Sequence, residues 1–534
     1  MGEATNGVLN NSTETRNSSN QTSSANDNPM ANQILSGSMA NDVQQLKVIF
    51  DRSSDVVYRE FDISGSQKGT LIFIEGIVDI TLINSDILKP LLKYRNNPAQ
   101  PKNIQIGEIQ NFLQNSVITA SHIKSSMNIQ DLLEDILSGY TVLLVDGAKQ
   151  AILIDFRKLD KRNVEEPTVE PVIRGPRDGF TENLRTNTSL IRRRLKTSKL
   201  KMENMKVGRL SKTDIVITYL DGIVKDSLVE EVRQRISRID IDAILESGYI
   251  EELIEDNPYS IFSQFGVTER PDRLTASLLE GHVGILVDNT PMALITPQTF
   301  VEMMTASEDY YNRYITVSII TCIRYLFLGL SLLAPSFYIA LTTFHQGMIP
   351  RTLLLTIASS REGVPFPIFI ESLFMEIFFE GLQEAGVRLP RVAGQTVSIV
   401  GGLVIGQAAV QAGIVSAATV IVVSITGISS FVIPKFNLTI SIRMLRFFMI
   451  ILASTLGLYG MFIGILVILI HMAKLRSFGI PFLTPLAPLN LSGLKDSIVR
   501  APWWAMISRP EFMETKDQQR MKRNLRPHPP KDSK

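Results

Sequence analysis

The sequence has one cysteine, Cys322, and two tryptophans in 534 residues. A lone thiol excludes an intrachain disulfide framework and any paired-cysteine metal site. The five histidines (His122, His282, His345, His471, His528) are never within a helical turn of one another, so no zinc constellation and no metal site is expected. Neither GxGxxG nor GxxxxGK[ST] occurs, which removes the usual phosphate-cradling loops and leaves no cofactor to expect. Net charge is almost absent too. Lys+Arg total 54 against 53 Asp+Glu, so no global field draws the chain to nucleic acid. The opening MGEATNGVLNNSTETRNSSN lacks a basic n-region and an apolar h-region, so no secretory signal is expected and the first domains should be cytosolic. A dehydrogenase, a zinc enzyme and a secreted disulfide scaffold are all disfavoured.

The apolar residues are abundant but unevenly spread. Residues 1–40 hold eight Asn, seven Ser and four Thr, too polar to offset chain entropy, so 1–42 reads as a disordered leader. From 43 to 160, β-branched runs at 70–75, 141–146 and 150–156 alternate with helical periodicity at 127–139, the pattern of an α/β subdomain. TLIFIEGIVD (70–79) recurs as VITYLDGIVK (216–225), and 132–155 recurs as 274–296. The two offsets agree within about four residues, so 213–312 reads as a second, related α/β subdomain. Asp146, Asp221 and Asp288 end strands without a nucleophile–base pair, and turn closure explains them. Between the halves, 161–212 carries fourteen Lys/Arg against six Asp/Glu and reads as a basic linker. Its Arg192-Arg193-Arg194 run fits a solvated helix face, an inter-subunit contact or a membrane-surface contact better than a nucleic-acid site, because interleaved aromatics are missing.

Residues 313–476 form the apolar half, followed by a tail, 477–534. Ile315–Thr343 carries one charge, Arg324, which must snorkel to the interface or face protein interior. Residues 392–434 have no formal charge over 43 positions, about twice a bilayer crossing, and must fold back near Gly413–Ser416. Phe447–Met472 is the last uncharged run. The stretch 350–391 instead mixes five Glu with four Arg. Glu376, Glu380 and Glu384 share one helical arc with Gln383, as in an amphipathic helix at the interface or lining water. Glu371 sits among apolar residues, with Arg361 or Arg388 as possible partners. The fold expected is an α/β region of two related subdomains followed by an α-helical transmembrane domain. It has four spanning helices, or five if 350–391 crosses, plus that amphipathic or re-entrant helix. Four crossings put the soluble region and the tail on one side, but leave Lys435, Arg443 and Arg446 outside, against the positive-inside bias.

The crossing 392–413 has two polar faces. Gln395, Ser398, Gly402, Gly406, Ala409 and Gly413 share an arc of small residues suited to close helix packing. Val397, Val400, Val404, Gln407 and Gln411 lie on the other side. Two amides are costly against hydrocarbon, so both faces should meet protein or water. Packing inside one bundle is one solution; a homo-oligomer with the valine and glutamine face on a central pore is the other.

RGPRDGFTENLRTNTSLIRRRL (174–195), REGVPFPIFIESLFMEIFFEGLQEAGVRLPR (361–391), GQTVSIVGGLVIGQAAVQAGIVS (394–416), SFGIPFLTPLAPLNL (477–491) and LKDSIVRAPWWAMISRP (494–510) resemble the A subunit of bacterial spore germinant receptors, the GerA family, over about 43–512. The resemblance implies an endospore inner-membrane protein with its N-terminal domain facing the spore core. It implies a B subunit, itself integral to the membrane and the main nutrient binder, a lipoprotein C subunit, and release of monovalent cations through an oligomeric A subunit. The alternatives are a stage V sporulation AF-type paralogue supporting dipicolinate release and a secondary-transporter subunit.

Overall fold

The computed structural model describes residues 33–64, 67–91, 118, 122–158, 166–167, 170–388, 404, 406–490 and 493–527. The first subdomain runs α1 (Met39–Ile49), β1 (Val56–Ser64), β2 (Gln67–Ile74), α2 (Ile80–Leu82, continued as a π turn to Leu88), β3 (Ile123–Ser126), α3 (Ile129–Leu137), β4 (Tyr140–Val145) and β5 (Ala151–Asp155). The second runs α4 (Leu184–Arg194), β6 (Leu200–Val207), β7 (Thr213–Leu220), α5 (Asp226–Ser237), α6 (Ser247–Ile254), β8 (Gly266–Thr268), α7 (Pro271–Leu279), β9 (Val283–Val287), β10 (Ala293–Thr296) and the short α8 (Phe300–Met303). Each subdomain has a five-stranded sheet, ordered β1-β2-β4-β5-β3 and β6-β7-β9-β10-β8, so the same topology is laid down twice. Both faces of each sheet are apolar and helix-covered, which accounts for the near-continuous hydrophobic strands.

The repeat extends to single atoms. Asp146 accepts a bond from the backbone N–H of Met39 at 3.3 Å, and Asp288 from that of Leu184 at 3.2 Å. Each carboxylate thus meets the first residue of the helix that opens its subdomain, where the helix dipole favours negative charge. Gly139 and Gly281 have φ of 95° and 97° at the matching helix-to-strand turns, a region costly for a residue with a β-carbon. The repeated aspartates are structural.

Two expected boundaries move. Leu35, Met39, Val43 and Leu46 are buried against the first sheet, so 33–42 belongs to the core and not to the leader. Residues 184–207 supply α4 and β6, so much of the supposed linker is the opening of the second subdomain. Arg192 is no solvated residue. Its guanidinium donates two 2.8 Å bonds to Asp55 before β1, and both side chains are buried. Removing one partner of such a pair costs about 3–5 kcal/mol. The pair, with a parallel bridge between Ser53 and Met202, fastens one subdomain to the other.

The apolar half contains α9 (Tyr314–Thr343), α10 (Arg351–Ser360), α11 (Ile368–Arg388), α12 (Ala417–Phe431) and α13 (Phe436–Lys474). By length and composition α9 and α13 can cross a bilayer. The 39 residues of α13 do not form one rod. Gly457 has φ 62° and ψ −141°, outside helical space. A β-carbon on Gly460 would collide with the carbonyl of Leu452, and one on Gly464 with the sulfur of Met449. Ser441 donates to the carbonyl of Ile261 at 2.6 Å, while His471 lies 3.0 Å from Ser260. Neighbouring loop residues can reach both only if α13 folds back on itself. It is a hairpin, with arms of roughly 21 and 17 residues, or about 31 and 26 Å. The single crossing expected at 447–472 is therefore corrected. Composition conceals the turn because the run 447–472 is apolar on both sides of Gly457.

The hairpin gives each helix a direction. Gly457 packs beside Phe344 and His345, so the hairpin tip and the end of α9 share the end of the bundle far from the soluble subdomains. Both feet of the hairpin lie at the near end. α11 runs from far to near, antiparallel to the first arm, with Ile368 packed on Ile339 and Ile450. α12 runs beside it in the same direction, from Ser416 next to Glu371 to Ser430 next to Gln383.

The hairpin predicts a crosslink. With Cys322 replaced by Ser, Met449→Cys with Gly464→Cys should form an intramolecular disulfide under mild oxidation, seen as a gel-mobility shift. In a straight helix these positions are about 22 Å apart and would remain reduced.

Candidate functional site

The bundle is built around a ladder of ion pairs between α11 and its neighbours. Arg446 donates to Glu376 at 2.6 Å and to the backbone carbonyl of Ser331 on α9 at 2.8 Å, with Glu376 and Arg446 both buried. One turn away, Arg443 Nε donates to Glu380 Oε2 at 2.9 Å. Glu371, fully buried, accepts from the backbone N–H of Ser416 at 2.5 Å and faces Arg361 at 3.6 Å. Ser416 caps α12, so a negative charge stands at a helix N-terminus, where it is favoured. Carrying a lone ion into such surroundings costs several kcal/mol, and pairing offsets this.

This arrangement corrects two expectations. α11 does not lie on a water-facing surface through Glu376; that residue is buried inside the bundle. Lys435 is not at the far end either, because it pairs with Glu170 of the soluble region. Of the two partners weighed for Glu371, Arg361 faces it at 3.6 Å, and the side chain of Arg388 lies outside the described residues. Glu384 is exposed near the end of α11. From the sequence alone Arg443 and Arg446 carry only a topological signal. Their spacing of three residues, set against Glu376 and Glu380 four apart, is a complementarity that two antiparallel helices can use.

The helix before α12 is described at 404 and 406–411 and breaks at Gly413. Val404, Gln407 and Gln411 are exposed, while Gly406 is buried, with Val420 Cγ1 3.8 Å from where its β-carbon would stand. Ala409 and Gly413 are half-buried. Gln395, Val397, Ser398, Val400 and Gly402 lie outside the described residues. Ser416 then opens α12, so the chain turns in the segment where fold-back was expected.

A second set of charges joins the soluble part to the bundle. Arg324 neither snorkels nor meets lipid; it donates to Asp309 at 2.5 and 2.9 Å, and both are buried. His282, before β9, lies 3.1 Å from the carbonyl of Ser277 and 3.0 Å from Glu302 on α8. Both ring nitrogens therefore face acceptors, the arrangement that suits a doubly protonated imidazolium. Burial opposes that charge, yet the Glu302 carboxylate prevails and raises the His282 pKa, while its own is lowered. Glu302 also accepts from the backbone N–H of Thr299 at 2.9 Å, completing the cap of α8 just before α9. Neither Asp309 nor the His282 pair was marked in advance, because nothing local distinguishes a buried charge before its partner is placed.

The profile described as "Bacillus/Clostridium GerA spore germination protein" matches residues 44–512. The chain is 46% identical over 476 residues to the uncharacterized membrane protein YfkQ of Bacillus subtilis, covering 89% of this chain and 91% of that protein. It is 44% identical over 499 residues to spore germination protein KA of the same organism (93% and 90% coverage). It is 38% identical over 493 residues to spore germination protein GerLA of Bacillus cereus (90% and 97%). Among solved structures, the N-terminal domain of the A subunit of the Bacillus megaterium spore germinant receptor GerK3 aligns with a TM-score of 0.40 at 35% identity, covering 50% of this chain and 98% of that one.

Two outcomes follow from the charges. Glu376→Gln leaves Arg446 buried without its counter-charge and should destabilise the fold by about 3–5 kcal/mol, read as earlier thermal aggregation in detergent. Glu376→Met with Arg446→Met should recover most of that loss. The His282 contribution is complete below its ordinary value near pH 6.5 and is lost as pH rises through the raised value. The Glu302 contribution is present above about pH 4.3 and is lost as pH falls through the lowered value. Thermal midpoints measured across about pH 5.5–8.5 should therefore decline on the alkaline side, and His282→Asn should flatten that decline.

Proposed function

The chain belongs to the GerA family of spore germination proteins, and from that premise we propose that it is the A subunit of a nutrient germinant receptor, assembling as an oligomeric, ligand-gated cation channel. It is not an enzyme in this reading. It works in the endospore inner membrane with an integral B subunit, which binds the nutrient, and a lipoprotein C subunit.

The observation that carries the channel reading is the exposure of Val404, Gln407 and Gln411 on a protomer whose Gly406 is packed inward. A buried amide without a partner costs roughly 1–3 kcal/mol, so two of them do not rest against acyl chains. Copies of the chain arranged around an axis would give both amides water and set Val404 as an apolar constriction, the combination a gated pore uses.

The directions of the described helices support passes by α9, α11, α12 and the two arms of α13; because α11 and α12 run the same way, we propose one further pass between them, completed at Gly413, for six in all. Under this count Arg313, Lys435, Lys474 and Arg476 all stand on the side of the soluble subdomains. With only Arg351 and Arg361 of the loop arginines at the opposite end, this count agrees with the positive-inside bias and favours the reading in which the soluble side faces the spore core. The ladder then lies within the membrane, where paired ions set the register of helices that must move when a pore opens.

Val404→Ala should widen the constriction and let dormant spores lose potassium before any nutrient is added, measured as ion content against the unmodified strain. Unchanged retention in both Val404→Ala and Gln411→Leu, with normal receptor assembly, would remove the channel reading.

A further inference from the structure

The tail returns to the foot of the bundle and presents an apolar, aromatic surface there. Ile498, Val499, Trp503 and Trp504 are 40, 57, 48 and 36% exposed within seven residues of one another. Scattered exposed apolar residues need no explanation, but a contiguous group does. This group is fixed to the start of α9. The backbone N–H of Arg500 donates to Ser318 Oγ at 3.1 Å, its guanidinium donates to the carbonyl of Asn312 at 2.7 Å, and Trp503 Nε1 donates to the carbonyl of Tyr310 at 3.2 Å. Tyr314, Ile315 and Ile319 are exposed on the same stretch of α9.

The level of this surface follows from length. The 30 residues of α9 extend about 45 Å against a hydrocarbon core of about 30 Å, leaving about 7 Å, or five residues, at each end. With α9 centred on the bilayer, residues 314–318 fall in the headgroup layer, and the hydrogen bonds to Ser318 and Asn312 hold 498–504 at that depth. Indole rings favour this layer because it accepts an apolar face and a wet edge together. Cationic side chains stand beside both rings. The Arg500 guanidinium lies 5.6 Å from the Trp503 ring and that of Arg526 lies 5.3 Å from the Trp504 ring.

We propose that residues 498–504 form an interfacial anchor that inserts Trp503 and Trp504 into the phospholipid headgroup layer of the leaflet facing the soluble subdomains. The inference rests on the reading that α9 crosses the bilayer. The anchor would do more than hold the tail. Beyond it, Arg509 donates to the carbonyl of Leu279 at 2.8 Å and Lys516 to Asp226 at 2.7 Å, so the same strap grips the second subdomain. The lipid surface would thereby be coupled to that subdomain.

The chain has two tryptophans, both here, so intrinsic fluorescence reports on this surface alone. In proteoliposomes of the full chain, phospholipids brominated near the glycerol end should remove most of the emission, and those brominated near the acyl terminus much less. A control carries Trp503→Phe, Trp504→Phe and Leu326→Trp, placing one indole on an exposed position deeper in α9. It should be quenched better by the deeper bromines. If that control is quenched while the native pair ignores bromolipid and is quenched by aqueous iodide, the anchor is wrong and the crossing stands. If neither responds to bromolipid, the membrane placement of α9 fails first and the anchor with it.

Discussion

A guanidinium withdrawn from water needs polar partners, and between the helices of the apolar half those partners are chiefly carboxylates. Arg446 cannot sit between α9, α11 and the hairpin unless Glu376 faces it, and Arg443 likewise depends on Glu380. The geometry is demanding because the spacings must agree along two antiparallel helices. A slip of one residue rotates a rung by about 100° and leaves ions unpaired. Apolar packing among leucines and isoleucines tolerates such slips far better. The charges fix register, and the aliphatic residues supply the bulk of the cohesion.

The same kind of pairing recurs at several joints among the described residues. Asp55 and Arg192 fasten the subdomains together, Asp309 holds Arg324 at the root of α9, and Glu170 receives Arg273 and Lys435 where the second subdomain meets the hairpin. His282 and Glu302 brace the short helix between the last sheet and α9. The route from the soluble part into the bundle therefore runs through buried or half-buried polar contacts, and stability along it depends on pH and on each individual partner.

The two subdomains were legible in the sequence because strands buried on both faces leave contiguous β-branched runs, and a duplicated run is visible as a repeat. The turn between 406–411 and α12 was legible because no single helix accommodates 43 uncharged residues. The hairpin in α13 was hidden. Its turn is a single glycine, Gly457, in a run apolar on both sides, and the arginines that precede it looked like a boundary. The roles of Glu371 and Glu376 were half legible: their cost inside an apolar helix was evident, but their partners lie 10 to 70 residues away in the chain. The role of Arg192 was illegible for the opposite reason, since a basic run resembles a solvated face until an aspartate 137 residues earlier is brought against it.

The loop 256–264 touches both feet of the hairpin, through Ile261 and Ser441 on one arm and through Ser260 and His471 on the other. A structure held at two feet and closed at its tip is constrained as a unit: the loop at one end and the turn at Gly457 at the other fix the spacing of the two arms, and with it the places where Arg443 and Arg446 meet Glu380 and Glu376.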